Sequence, residues 1–370
     1  MDTKQEIITI ILPTFNERDN VEPIVNELLA IQGSYRLEII VVDDDSPDGT
    51  AEKVRELAHS QPLIRLIRRV GRAGLASAIK EGLLDATGDI AVSMDCDGQH
   101  EPSTVREAIH ALISQHKDLI IGSRFHPQAC INNGLSAHRE KGSTFANQIA
   151  RYSLDKNYSH LTDYMSGFFV IRLNETTLPA IRGVEVNGFK FLYELLSISK
   201  GRIQTGEVPL KFQSRRSGES KLDLAIFWDF LISAIHTLIL RLLPRRAISF
   251  GIVGASGFFV QLSTTFILMR LAALPFEVVL PSAVVIAASS NYLINNALTF
   301  RSNRLKNSAL AKGLFKFLIV SSLPVIANVG IATTFYTHIS SNIALAQAVG
   351  VIVAFAWNYV ASSKFVWNTP

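Results

Sequence analysis

Apolar runs that stop abruptly in polar clusters recur along the first part of the chain. Ile7–Leu12 is closed by Pro13, Thr14, Asn16 and Glu17. The run in "LEIIVVDDDSPDGT" is closed by Asp43, Asp44, Asp45 and Asp48, and Ile90–Met94 by Asp95 and Asp97. Runs this short and continuous suit strands buried on both faces. "LIRLIRR" and "DLIIGSRF" read as two further strands, and "NVEPIVNELLAI", "GLASAIKEGLLDAT" and "STVREAIHALISQ" as helices between strands. Ser46, Asp48 and Thr50 are candidate caps for the helix after the second strand. This alternation predicts a doubly wound, Rossmann-like α/β sheet with ligands at the carboxyl ends of its strands. The polar clusters that close these runs fall at such ends.

The pattern changes in the second part. Residues 247–269, 278–300 and 317–363 contain no Asp, Glu, Lys or Arg. A span needs roughly 20 apolar residues, so the first two stretches predict one transmembrane helix each and the third predicts two, turning near 337–342. Arg241, Arg245 and Arg246 precede the first span, and Arg301, Arg304, Lys306, Lys312 and Lys316 lie between the second and third. The positive-inside rule then predicts a cytoplasmic soluble domain, central loop and C-terminus. Residues 222–245 read as an interfacial amphipathic helix, with Asp229, Ser233, His236 and Thr237 on one face. The expected domains are 1–221, 222–245 and 246–370.

The apolar part repeats itself. Phe317 of "FLIV" lies 67 residues after Phe250 of "FGIV", and Asn358 of "NYVASSKFVW" lies 67 after Asn291 of "NYLINNALTF". A shared register over four helices predicts two duplicated helical hairpins. Each has an even number of spans, so the copies form a parallel repeat. Asn291 and Asn358 are expected to face neighbouring helices or a polar head group.

Composition adds little that alters this picture. The net charge of +4 over 370 residues is accounted for by basic residues flanking the spans, and nucleic acid is not an expected partner. The first residues lack the basic and apolar regions of a signal peptide. In a reducing compartment Cys96 and Cys130 are expected to form no disulfide. "GRAGLAS" lacks the spacing of a dinucleotide fingerprint, and no P-loop occurs.

The chemistry concentrates in "IAVSMDCDGQHEP". Side chains alternate along an extended segment, so Asp95 and Asp97 share one face and Cys96 takes the other. Two like charges there repel, a cost offset by a cation between them. Two carboxylates and the amide oxygen of Gln99 make a hard-oxygen set for Mg²⁺ or Mn²⁺, ions that also bind substrate phosphates.

In "PTFNE", "VVDDDSPDGT", "DCDGQHEP", "GSRF", "MSGFF" and "FQSRRSGESKL", taken in that order, the chain resembles polyprenyl-phosphate glycosyltransferases of the dolichyl-phosphate mannose synthase type, family-2 enzymes with a GT-A fold. The paired hairpins resemble GtrA-like membrane domains. The resemblance implies an α/β GT-A catalytic domain followed by an all-α transmembrane domain of four helices. It implies that Pro13, Thr14 and Glu17 line the nucleotide pocket, with Asp44 near base or ribose, and that Asp95, Asp97 and Gln99 hold the metal on the donor diphosphate. Arg124 and Arg139 would face donor or acceptor phosphates, with Lys141 an alternative to Arg139. Arg215, Ser220 and Lys221 would close over the acceptor phosphate, and Asp163 and Ser166 would shape the sugar pocket. Asp45 departs from the pattern, standing where a glycine is usual.

The implied reaction is inverting transfer of a hexose from a nucleotide sugar to a polyprenyl phosphate at the bilayer, giving a β-linked product. GDP-mannose is the favoured donor and UDP-glucose the second. A non-catalytic component that binds or translocates lipid-linked sugar is the alternative class, and a homo-oligomer is compatible with either.

Overall fold

The computed structural model describes residues 7–33, 35–72, 74–131, 137–185, 190–212, 224–239, 241–271, 276–339 and 343–368. The chain divides into two compact units, Met1–Leu238 and Ile239–Pro370.

In the first unit, β1 (Ile7–Thr14), α1 (Arg18–Ala30), β2 (Arg36–Asp43), α2 (Thr50–Ser60), β3 (Ile64–Arg68), α3 (Leu75–Asp85), β4 (Ile90–Ser93), α4 (Ser103–Ser114) and β5 (Leu119–Ser123) alternate as expected. There follow β6 (Cys130–Ile131), α5 (Ala137–Ser153), β7 (Phe169–Arg172), α6 (Thr177–Gly183), α7 (Phe191–Ser199), β8 (Thr205–Pro209), β9 (Lys211–Phe212) and α8 (Leu224–Leu238). Seven strands form one sheet in the order β3-β2-β1-β4-β7-β5-β8, and β6 pairs with β9. The sheet is parallel except for β7, which runs antiparallel to both β4 and β5.

Strand alternation divides the core. Ile8, Ile10 and Leu12 of β1 join Val21, Ile24 and Leu28 of α1 and Leu112 of α4 on one face. Ile11 joins Ile79 and Leu83 of α3 and Leu195 of α7 on the other. Both faces are covered, which is why these strands read as continuous apolar runs rather than alternating ones. The order turns from descending to ascending between β1 and β4, and such a switch point opens a crevice at the strands' carboxyl ends.

The helix α8 packs on α5 within this unit. Its polar face is turned inward, with Ser233 and His236 buried and the Ser197 and Thr237 hydroxyls 2.9 Å apart. Phe227 and Leu238 are exposed.

The second unit holds α9 (Arg245–Leu271), α10 (Phe276–Ala297), α11 (Asn307–His338) and α12 (Ile343–Phe365). The helices pack chiefly as two hairpins, α9 with α10 and α11 with α12. Phe258, Phe259 and Phe266 of α9 are each more than half exposed, an apolar exterior suited to lipid rather than water. Among the described residues, Arg245–Arg270 alone is a helix long and apolar enough to cross a membrane by length and composition.

The repeat shows in reciprocal aromatic contacts. Phe250 of the first hairpin meets Tyr359 of the second at 5.7 Å, and Phe317 of the second meets Tyr292 of the first at 5.6 Å. Phe300 and Trp367, equivalent in the 67-residue register, stack on each other at 4.1 Å and 10°. Asn358 accepts hydrogen bonds from the Ser321 and Ser362 hydroxyls, so it ties α11 to α12. Asn291 lies so close to Gly257 of α9 that a Cβ there would fall 2.3 Å from its side chain.

Candidate active site

A cavity of about 230 Å³ opens at the switch point and is lined by Pro13, Thr14, Phe15, Glu17, Asp44, Leu75, Ala78, Asp95, Cys96 and Asp97. Six sequence-predicted site residues therefore meet in one cleft, from the end of β1 and the loops after β1, β2 and β4. Gln99 and Arg124 are not among the lining residues, although Gln99 is buried close behind Asp97.

The acidic run after β2 serves two purposes. Asp43 accepts from the Ser46 amide at 3.0 Å, and Asp48 accepts from the amides of Thr50 at 3.0 Å and Arg18 at 3.1 Å. Ser46 and Thr50 in turn accept the amides of Asn16 and Glu17, so this run holds the loop after β1 in place. The cap of α2 thus comes through Asp48, not through the Gly49 position itself. Asp44 faces the cleft: it accepts the Gly74 amide at 2.7 Å and pairs with Arg69, a guanidinium only 2% exposed that also contacts Ser77 and Glu81. Asp45 points away and pairs with Arg68 at 2.7 Å. Its φ of 57° explains why a glycine suits this position, and aspartate is among the few other residues that tolerate it.

The strand β4 ends at Ser93, so Asp95 and Asp97 stand on the loop beyond it. Asp97 accepts the Gln99 amide at 3.0 Å. A Cβ on Gly167 would lie 3.1 and 3.2 Å from the two Asp95 oxygens, so the glycine of "MSGFF" makes room for that carboxylate. Among the described residues no three His, Cys, Asp or Glu side chains form a metal cage. Two carboxylates in an open cleft nevertheless fit a hard cation that takes its remaining ligands from diphosphate and water. Cys96 is a free, buried thiol; burial, then Glu17, Asp97 and Asp95, hold it well above its usual range, which keeps it protonated and inert.

Beyond β5 the charge reverses. Arg124 grips the buried Asp163 through two parallel bonds, Nε at 2.7 Å and Nη2 at 3.0 Å. Burial works against the Asp163 carboxylate, but Arg124 and the Met165 amide bring it below its ordinary value. Glu207 of β8 accepts the amides of Thr162 and Asp163 at 2.7 and 3.1 Å, fixing the loop that carries Asp163. Ser166 donates to the Gly122 carbonyl at 2.7 Å; together with the inward-facing Asp163 it holds protein, and neither lines the cleft. Lys190 lies in the same field: burial, then the Arg124 guanidinium, push its ammonium down to about 8 against the pull of Asp163 and Asp95.

Arg139 and Lys141 fall in α5, but their side chains lie outside the described residues, as do Arg215, Ser220 and Lys221 entirely. Sequence reasoning missed Leu75 and Ala78 because the segment at the start of α3 lacks a dinucleotide spacing, and it read Arg69 only as the end of a strand. Lys190 and Glu207 carry no local motif; only the fold brings Lys190 near Arg124 and Glu207 to the loop that carries Asp163.

An α/β fold with a carboxylate-lined switch-point cleft beside a buried arginine, joined to a membrane unit, defines the class of membrane-associated glycosyltransferases. The model of glycosyl transferase family 2 matches residues 9–174, and that of the GtrA/DPMS transmembrane domain matches residues 249–367. A dolichol-phosphate mannosyltransferase from Pyrococcus furiosus is 33% identical over 98% of this chain and 99% of its own length. Dolichol-phosphate mannosyltransferases from Saccharomyces cerevisiae and Mycosarcoma maydis are 33% and 35% identical, each over 60% of this chain and over 84% and 76% of their own. The chain belongs to the dolichol-phosphate mannosyltransferase family of polyprenyl-phosphate glycosyltransferases and carries its membrane domain.

Proposed function

We propose that the protein transfers mannose from GDP-mannose to a polyprenyl phosphate with inversion, giving a β-linked lipid-phosphate sugar. The observation that carries this reading is the meeting of Asp95 and Asp97 with Pro13, Thr14, Glu17 and Asp44 in one cleft. The relatives' mannosyltransferase names favour mannose over glucose.

The acceptor needs little activation. A phosphate monoester has a second pKa of about 6 and is largely dianionic at neutral pH, so no general base is required. Its approach to an anionic donor needs positive charge instead. Arg124 supplies a guanidinium whose orientation Asp163 fixes, and Lys190 adds a second cation in the same field. Arg139, Arg215, Ser220 and Lys221 are the proposed remaining acceptor contacts. Asp95 and Asp97, with Gln99 beside them, would hold Mg²⁺ or Mn²⁺, which as a Lewis acid stabilises the leaving diphosphate. In the same reading the four long helices span the bilayer, with the catalytic unit and the C-terminus cytoplasmic.

The test is a panel of sugar nucleotides with purified protein and polyprenyl phosphate, the product's anomeric configuration being read by NMR. GDP-mannose giving β-linked mannosyl phosphate is the expected result. Faster turnover of UDP-glucose, or an α-linked product, would refute the donor or the inversion respectively.

A further inference from the structure

The loop after β4 is held by a side chain that has no part in the chemistry above. His100 is 2% exposed, and its ring meets Phe168 edge-on with centroids 5.7 Å apart. Its Nδ1 accepts the backbone N–H of Asp95 at 3.0 Å. Its Nε2 lies 3.9 Å from Oδ2 of the same residue. An imidazole nitrogen that accepts a hydrogen bond carries no proton, so in the neutral ring the proton sits on Nε2, the nitrogen turned toward the carboxylate. One ring thus bonds the main chain of Asp95 and lies near its carboxylate, for which Gly167 leaves room.

We propose that His100 is a positioning residue for the divalent cation: it fixes Asp95 in the orientation from which that carboxylate binds metal. The inference rests on the reading that Asp95 and Asp97 hold a cation. Asp95 lies beyond the last paired residue of β4, and Gly98 on the same loop has a φ of 77°, so regular sheet pairing does not set this backbone. The Met94 N–H still bonds to the Ile11 carbonyl at 3.2 Å, and at the next residue the Asp95 N–H bonds to His100. Groups that orient a metal ligand without touching the metal change affinity when removed, because the free loop must then be ordered by the metal itself.

Substitutions separate this role from mere packing. Asparagine carries its amide oxygen on the same branch as Nδ1 and can still accept from Asp95 N–H. Glutamine carries its polar atoms one bond further out, near Nε2, and leucine has none. The probe is Mn²⁺ alone, titrated into the full-length protein in detergent and read by loss of the free-ion paramagnetic signal. His100→Asn should bind Mn²⁺ within about threefold of the unaltered protein, whereas His100→Gln and His100→Leu should bind about tenfold or more weakly, the usual range for such outer contacts. Should His100→Leu fail to fold, the Asn and Gln pair carries the test, since both bury one amide at the same place. Equal Mn²⁺ affinity in those two variants, whether strong or weak, would overturn the role of His100 and leave the metal reading standing. Failure of the unaltered protein to bind Mn²⁺ would overturn both.

Discussion

The two halves of the sheet's carboxyl edge are built on opposite principles. At β1, β2 and β4 an open cleft presents carboxylates, held by loop backbone amides and, for Asp44, by Arg69 as well. At β5 and β8 a cation is sunk among protein atoms and locked by a carboxylate nearly 40 residues away, itself fixed from β8. An anionic rim calls for a cation to receive a diphosphate, whereas a cationic one receives a phosphate directly. In the proposed reading the contrast separates leaving-group chemistry from acceptor chemistry, with β7 alone lying between β4 and β5 in the sheet.

The strongest way to break the comparison is on the carboxylate side. Asp97→Ala should abolish transfer and Asp95→Ala should reduce it severely, each removing several kcal/mol of transition-state stabilisation, about 3 or more by analogy with single-donor losses. Initial rates over a range of Mg²⁺ and Mn²⁺ concentrations check this, and excess metal should not restore Asp97→Ala.

On the cationic side, Asp163→Asn leaves Arg124 buried beside a neutral partner. Breaking a buried pair costs about 3–5 kcal/mol of stability, so a large drop in the unfolding midpoint should accompany lost activity. Asp163 has a folded pKa below its unfolded one, so the pair's contribution is complete above the ordinary carboxylate range and is lost as pH falls through the depressed folded value. In the variant that acid-induced loss should shrink.

Lys190 sharpens the contrast with a smaller effect. With its pKa near 8, the cation disappears as pH rises through that value, and turnover should fall with it. Stability should move the other way. The unfolded lysine keeps its proton to about 10.5, so the folded state gains as pH climbs from about 8 toward that value. Lys190→Met should flatten both limbs, the activity profile and the unfolding profile being measured on the same preparations.

The smallest effect concerns Asp45. Replacing it by glycine relieves a positive φ but removes an exposed pair with Arg68. Net stability should change by less than about 1 kcal/mol, and turnover should not change.

How much of this was legible in the sequence follows the same division. Apolar runs and the clusters ending them identified the strands, and contiguous motifs identified Asp95, Asp97, Glu17 and Asp44, because those residues sit where their own strand stops. The antiparallel strand β7 escaped because its apolar run, in which Phe168 and Phe169 are buried, is short and adjoins a motif rather than a polar cluster of its own. Lys190 and Glu207 escaped because their partners are distant in sequence, and Arg69 because the last residue of an expected strand gives no sign that it turns back to Asp44. The duplicated register predicted equivalence of Phe300 and Trp367, but not that the two rings would stack on one another.

The central claim is that Asp95 and Asp97 would hold a divalent cation that stabilises the leaving diphosphate, while a lipid phosphate attacks without a general base. It is tested most directly by release of GDP from GDP-mannose, measured with and without polyprenyl phosphate and with and without chelator. The account predicts rapid release only when lipid phosphate and divalent metal are both present, with one mannosyl lipid formed per GDP. Undiminished lipid-dependent release in chelator would contradict it.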